Sequence, residues 1–141
     1  MTFLAVHNAI RKKFDEDVVT AGHIASDLVS WDNALFDEED DDVGSLWCRF
    51  NVIAGDSQIR ELGSLVARTN GFAVASVFIL AGVGDNLGLT LADNIVAAFK
   101  GTTYTSGGAT VVFRTPSVTP VRRQSAWWQI NVTLPFFTES A

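Results

Sequence analysis

One cysteine, two histidines and no long apolar run leave this sequence few routes to chemistry or to a membrane. Cys48 has no partner for an internal disulfide, and its neighbours Leu46, Trp47 and Phe50 mark it as a core thiol in a reducing compartment. With only His7 and His23 beside that single cysteine, a closed zinc site lacks ligands. No nucleophile elbow or Cys–His spacing supports a catalytic triad, so no enzyme activity and no cofactor are expected. No apolar stretch approaches the ~18 residues of a membrane span. The start Met1-Thr-Phe-Leu-Ala-Val-His-Asn8 lacks the basic and apolar regions of a secretion signal, so a non-secreted chain with no membrane partner is expected. Basic residues are also scarce, ten against sixteen acids. The net charge of −6 opposes counterion-release binding to a phosphate backbone.

What is present is apolar surface. Hydrophobic residues make up 48% of the 141, and the aromatic ones gather in strand-like segments, which argues for subunit interfaces. The length fits one domain, residues 1–141, able to bury roughly two thirds of the surface its unfolded chain exposes. Phe3, Val6, Ile10 and Phe14 fall on one helical stripe, with Thr2 as N-cap and Gly22 as the stop. Ile24–Trp31 reads as a strand ending at Asp32-Asn33, and Leu46–Ile53 as a second, closed by a turn at Ala54-Gly-Asp-Ser57. Gln58–Asn70 fits either a short strand pair or a half-helix broken at Gly63, and a third strand is expected from Leu65 through Asn70-Gly71 to Leu80. Its segment Gly71–Leu80 is apolar on both alternating faces and so requires cover on both sides, part of it from another copy.

After a turn at Ala81-Gly-Val-Gly84, the stripe Leu87, Leu91, Ile95, Ala98 and Phe99 predicts a second helix, with Thr90 and Asp93 as a capping box and Lys100-Gly101 as its end. Ser106-Gly-Gly108 is a hairpin turn leading into Ala109–Arg114, and Thr115–Pro120 reads as an extended linker. Ala126–Phe137 is the last strand. It sets Trp128, Ile130, Val132, Leu134 and Phe136 on one face and Trp127, Gln129, Asn131 and Thr133 on the other.

Two local patterns invite a functional reading. Asp37, Glu38, Glu39, Asp40, Asp41 and Asp42 form an unbroken acidic run, which is either a solvated loop or a docking element for a basic partner. Its contiguous acids lack the alternation and central glycine of a calcium loop. Arg122-Arg123 is a basic doublet, either a solvated loop or a second candidate interface element complementary to such an acidic segment on a neighbouring subunit. Gly82-x-Gly84-x-x-x-Gly88 sits where a dinucleotide fingerprint would, but its spacing is one residue too long, so it reads as a tight turn.

The order of several short motifs along almost the whole chain carries a resemblance. These are Trp31-x-Asn33-x-x-Phe36, Arg49, Gly55-Asp56, Leu62-Gly63, Arg68-x-x-Gly71, Gly82-x-Gly84, Ala92-Asp93-x-Ile95-x-x-x-Phe99, Pro116-Ser117 and Trp128-Gln129-x-x-Val132-x-x-Pro135-Phe136. Together they resemble the tail terminator family of long-tailed bacteriophages, related in fold to the lambda tail terminator. The resemblance implies an α+β subunit, a mixed and mostly antiparallel β-sheet with two α-helices packed on it. It further implies a hexameric ring that caps the tail tube, stops its polymerisation and joins the head. The implied partners are other copies of the chain, the tail tube protein and a head–tail connector or stopper, with DNA passing through the lumen without specific binding. The implied location is the neck of the virion, after assembly in the host cytoplasm. The alternatives are another neck component, such as a head–tail stopper or head-completion protein, and a small enzyme or ligand-binding α+β domain.

Overall fold

A computed structural model describes residues 3–31, 44–59, 67–82, 86–124 and 127–140. Thr2 and the acidic run Asp37–Asp42 lie outside these residues, as do Leu65 and Gly84.

Helix α1 (Phe3–Phe14) forms on the predicted stripe, with Ile10 and Phe14 fully buried. It runs into a π-helical turn (Asp15–Val19) and stops where Gly22 closes a Schellman motif. There the His23 amide donates to Val18 O at 3.0 Å and the Gly22 amide to Val19 O at 3.0 Å. Lys13, almost fully buried, bonds Asp17 at 2.6 Å while its ammonium stands 5.1 Å from the Phe99 ring centroid and 5.6 Å from that of Tyr104. The buried cation is thus paired and also faced by two aromatic rings, which offsets the cost of taking it out of water.

The strand expected over Ile24–Trp31 is shorter than its reading. Ser26–Leu28 forms a 3₁₀ turn, and only Val29–Trp31 (β1) pairs, in parallel with β2 (Leu46–Ile59). Ser26 and Asp27 interrupt the alternation that a strand needs and favour a turn. Ala54–Ser57 is not a turn either. Gly55 and Asp56 together oppose the single Asn70, a bulge after which the ladder with β3 (Ala67–Leu80) resumes to Ile59.

Helix α2 (Asn86–Phe99) begins four residues before Thr90, so Thr90 and Asp93 lie exposed in its interior and do not cap it. Its buried stripe is Gly88, Leu91, Ala92, Ile95 and Phe99, whereas Leu87 is 51% exposed. The reason is the close approach of helix to sheet at Gly88. A Cβ built there would collide with Ile79 Cδ1 and stand 2.5 Å from its Cγ1. Gly88→Ala should therefore push α2 away from β3 and destabilise the fold by about 1–3 kcal/mol, read as a lower urea midpoint at unchanged slope.

Four strands follow, one more than the hairpin-plus-last-strand reading. β4 (Thr103–Ser106) and β5 (Ala109–Phe113) form the expected hairpin across Gly107-Gly108, both at positive φ as a type I′ turn requires. The expected linker instead becomes β6 (Ser117–Gln124), which pairs with β7 (Trp127–Ser140). The prolines permit this because of where they sit. Pro135 accepts from the Arg114 amide at 2.9 Å, so its missing N–H faces the place where the chain passes from β5 to β6. By the same alternation along the regular β7 register, Pro120, opposite Ile130, turns its imide nitrogen to the outer edge of β6, where no ladder bond is lost.

The sheet order is β1-β2-β3-β7-β5-β4, with β6 sharing the second edge of β7, and all pairings except β1 with β2 are antiparallel. Both helices pack on one face, over Cys48, Phe50, Ala73, Ala75, Val77, Val132 and Leu134. Phe14 stacks on Phe50 of β2 at 4.3 Å, while on the far side of the strand order the Tyr104 hydroxyl of β4 donates to Glu16 at 2.9 Å. Helix α1 and its π turn reach both regions because the sheet curls around them. The fold is therefore α+β, a mixed and mostly antiparallel sheet bearing two helices, as expected.

Candidate interaction surfaces

Cys48 is fully buried on the helix-covered face, and desolvation pushes its thiol from the ordinary 9.0 up to about 12. A thiol so placed is a packing group. Because the folded state holds the proton more tightly than the unfolded chain does, stability should fall as pH rises above about 9. The slope approaches about 1.4 kcal/mol per pH unit until the folded thiol itself titrates. Cys48→Ala should remove that thiol-linked fall in urea titrations between pH 8 and 11.

Among the described residues, no group of three His, Cys, Asp or Glu side chains is placed to hold a metal ion. His7 lies on α1 and His23 is exposed in the loop after it. Among the described residues, no helix is long and apolar enough to cross a membrane.

The sheet face opposite the helices carries its own aromatic cluster. Trp47 and Phe78 stack at 4.0 Å, Trp127 meets Trp47 edge-on at 6.1 Å, and the exposed Arg49 holds its guanidinium 5.3 Å from the Phe78 centroid and 5.5 Å from that of Trp47. Further along, Arg68 forms a 2.7 Å ion pair with Glu139 and lies over Phe137 at 4.1 Å. The two apolar faces of β3 are thus served differently. Helices and neighbouring strands bury Ala73, Ala75, Val77 and Ile79, and the aromatic cluster buries Phe78, but Phe72 stays 39% exposed beside Ile53 at 46%.

A groove of about 540 Å³ opens between the start of α2 and the β6–β7 pair, lined chiefly by Ile79, Leu89, Pro120, Trp128 and Ile130. Trp128 shares the side of β7 that carries Ile130 and Val132, yet it is 49% exposed because the groove leaves it uncovered. The sequence carried a signal for this site that the stripe analysis passed over. Leu89 lies off the buried stripe of α2, and an apolar residue on the outer flank of a helix has to be accounted for by something other than the core.

Of the residues singled out in the sequence, Asp37, Glu38, Glu39, Asp40, Asp41 and Asp42 lie outside the described residues. Arg122 and Arg123 have a described backbone only. They form a bulge in β6 between Val121 and Gln124, opposite Trp128, which places the basic doublet at the rim of the groove.

The fold is a curled sheet with two helices on one face, and it leaves Ile53, Phe72, Leu89 and Trp128 as exposed apolar surface. The sequence belongs to the phage tail terminator protein family, whose family model matches residues 5–136. No curated protein matches it. Among solved structures, one chain superimposes with a TM-score of 0.71 at 19% identity, over 95% of this chain and 96% of that one. A second, from the virion of the native gene transfer agent (GTA) particle, gives 0.66 at 16% identity over 96% of each chain. Both likenesses lie in the fold.

Proposed function

We propose that this protein is a non-enzymatic virion component at the tail–neck boundary. It assembles as a ring, six-membered by family resemblance, on the end of the tail tube, stops tube growth and offers its other face to the head-side connector. The observation that carries the reading is membership of the tail terminator family over residues 5–136. The fold shared with a chain of a gene transfer agent virion supports it, as do the apolar side chains left exposed on a single copy.

Capping is steric in this reading. A tube of identical subunits grows because each added layer recreates the surface it bound, and a ring with two different faces ends that repetition. The chain folds as one unit over residues 1–141, with Asp37–Asp42 as the first docking element and Arg122-Arg123 as the second. The net charge of −6 suits a lumen through which DNA slides without adhering.

Negative-stain imaging of the protein alone and with purified tail-tube protein, joined to mass determination in solution, tests the proposal. Six-fold rings, or caps at one end of tubes whose growth then stops, are the expected result. A monomer indifferent to tubes would overturn it, and rescue of heads instead of tails in half-particle complementation would move the protein to another neck position.

A further inference from the structure

A closed ring of identical subunits needs a head-to-tail contact made from two different patches of one chain. Two features of this fold meet that need. The first is the groove. Trp128 at 49% and Leu89 at 39% exposure stand in its wall, and Val118 at 37% precedes Pro120 by two residues along β6, on the same side of the strand. Polar side chains that would orient a small ligand are scarce, since Gln129 already donates its amide to Asn131 at 2.8 Å. The adjoining edge of β6 also resists an added strand, because Pro120 turns a nitrogen without a proton outward. What enters the groove therefore enters as side chains.

The second feature is the Ile53–Phe72 pair, cross-strand neighbours on the sheet face away from the helices. Phe72 is seven residues from Ile79 of the groove, roughly 23 Å along the strand, and on the opposite face. The pair cannot reach the groove of its own chain. Each feature is flanked by a two-residue bulge of opposite charge, Gly55-Asp56 near the pair and Arg122-Arg123 at the groove rim. In a chain of net charge −6, copies repel at long range, so a contact that sets an acidic bulge beside a basic one is favoured over other pairings of its surfaces.

We propose that the Ile53–Phe72 pair of one copy seats in the Leu89–Trp128 groove of the next, with the acidic bulge of the first beside the basic bulge of the second. The occupant of the groove is thus a second copy of this chain. The two patches lie at different ends and on different faces, so the contact is heterologous and propagates around a ring instead of closing a two-fold dimer. This deepens the ring reading and rests on it.

The test uses the full chain with Leu89→Asp, which spoils the groove, and Phe72→Asp, which spoils the knob. Both sites are partly exposed, and melting curves identify any variant that fails to fold. In that event Leu89→Gln and Phe72→Thr replace them. Sedimentation should find each variant monomeric where the native chain forms rings, with self-association weakened about 30-fold or more. An equimolar mixture should give heterodimers and nothing larger, because each pair retains one intact contact. Rings formed equally well by either variant would overturn the contact while leaving the ring reading in place. Rings that persist but no longer cap tubes would overturn it by assigning the groove to the tube protein. Monomers that fail to pair on mixing would also overturn it. A native chain that never assembles, alone or on tube ends, would remove the ring reading as well.

Discussion

Phe14→Ala should destabilise the protein by about 3–5 kcal/mol, a large share of the 5–15 kcal/mol that holds a domain folded. Phe14 is fully buried and stacks on Phe50 at 4.3 Å, meets Trp31 edge-on at 5.7 Å and lies 6.4 Å from Phe99. One ring therefore ties α1 to β1, β2 and α2 at once. Its removal leaves a cavity bounded by three other aromatic groups, which cannot all move inward without losing their own contacts. Urea denaturation followed by tryptophan fluorescence checks the value, since Trp31 lies in the cluster. Phe14→Leu, which keeps most of the volume, should lose much less. A loss below about 1 kcal/mol for Phe14→Ala would mean that this aromatic cluster does not join the helices to the sheet.

The largest functional effect is expected from the acidic run. Replacing Asp37–Asp42 with Ser and Asn should leave the melting temperature within a few degrees of native, since contiguous like charges gain little from one another in a folded chain. Tail assembly should suffer instead. If these six charges dock a basic surface on a subunit or tube, their loss removes the attraction and speeds dissociation, and tails should lengthen or fail to join heads. Native protein in rising salt should move in the same direction, because screening shortens the reach of exposed charges. Tails of normal length that join heads at low and high salt alike would show that the run is a solvated loop.

The sequence alone determined both helices, the long central strand, the β4–β5 hairpin and the inward face of β7. Each follows from a local period of apolar residues or a glycine turn, and such local preferences survive whatever packs around them. Several boundaries were decided only by tertiary pairing. Gly55-Asp56 has the composition of a turn, yet the ladder continues past it because Asn70 accepts a bulge opposite. Thr115–Pro120 has the composition of a linker, yet Ser117–Gln124 pairs because the imide nitrogen of Pro120 faces an unpaired edge. Helix α2 turns Gly88 inward in preference to Leu87 because only a residue without a Cβ lets the helix come down on Ile79.

The candidate contact surface divides the same way. Charge is legible in sequence, so the acidic run and Arg122-Arg123 were visible as elements. Concavity is not, because the groove exists only where α2, β3, β6 and β7 converge from distant parts of the chain. Its wall residues Leu89, Pro120 and Trp128 belong to three elements whose meeting depends on the order of strands in the sheet, and no local pattern in the sequence encodes that order.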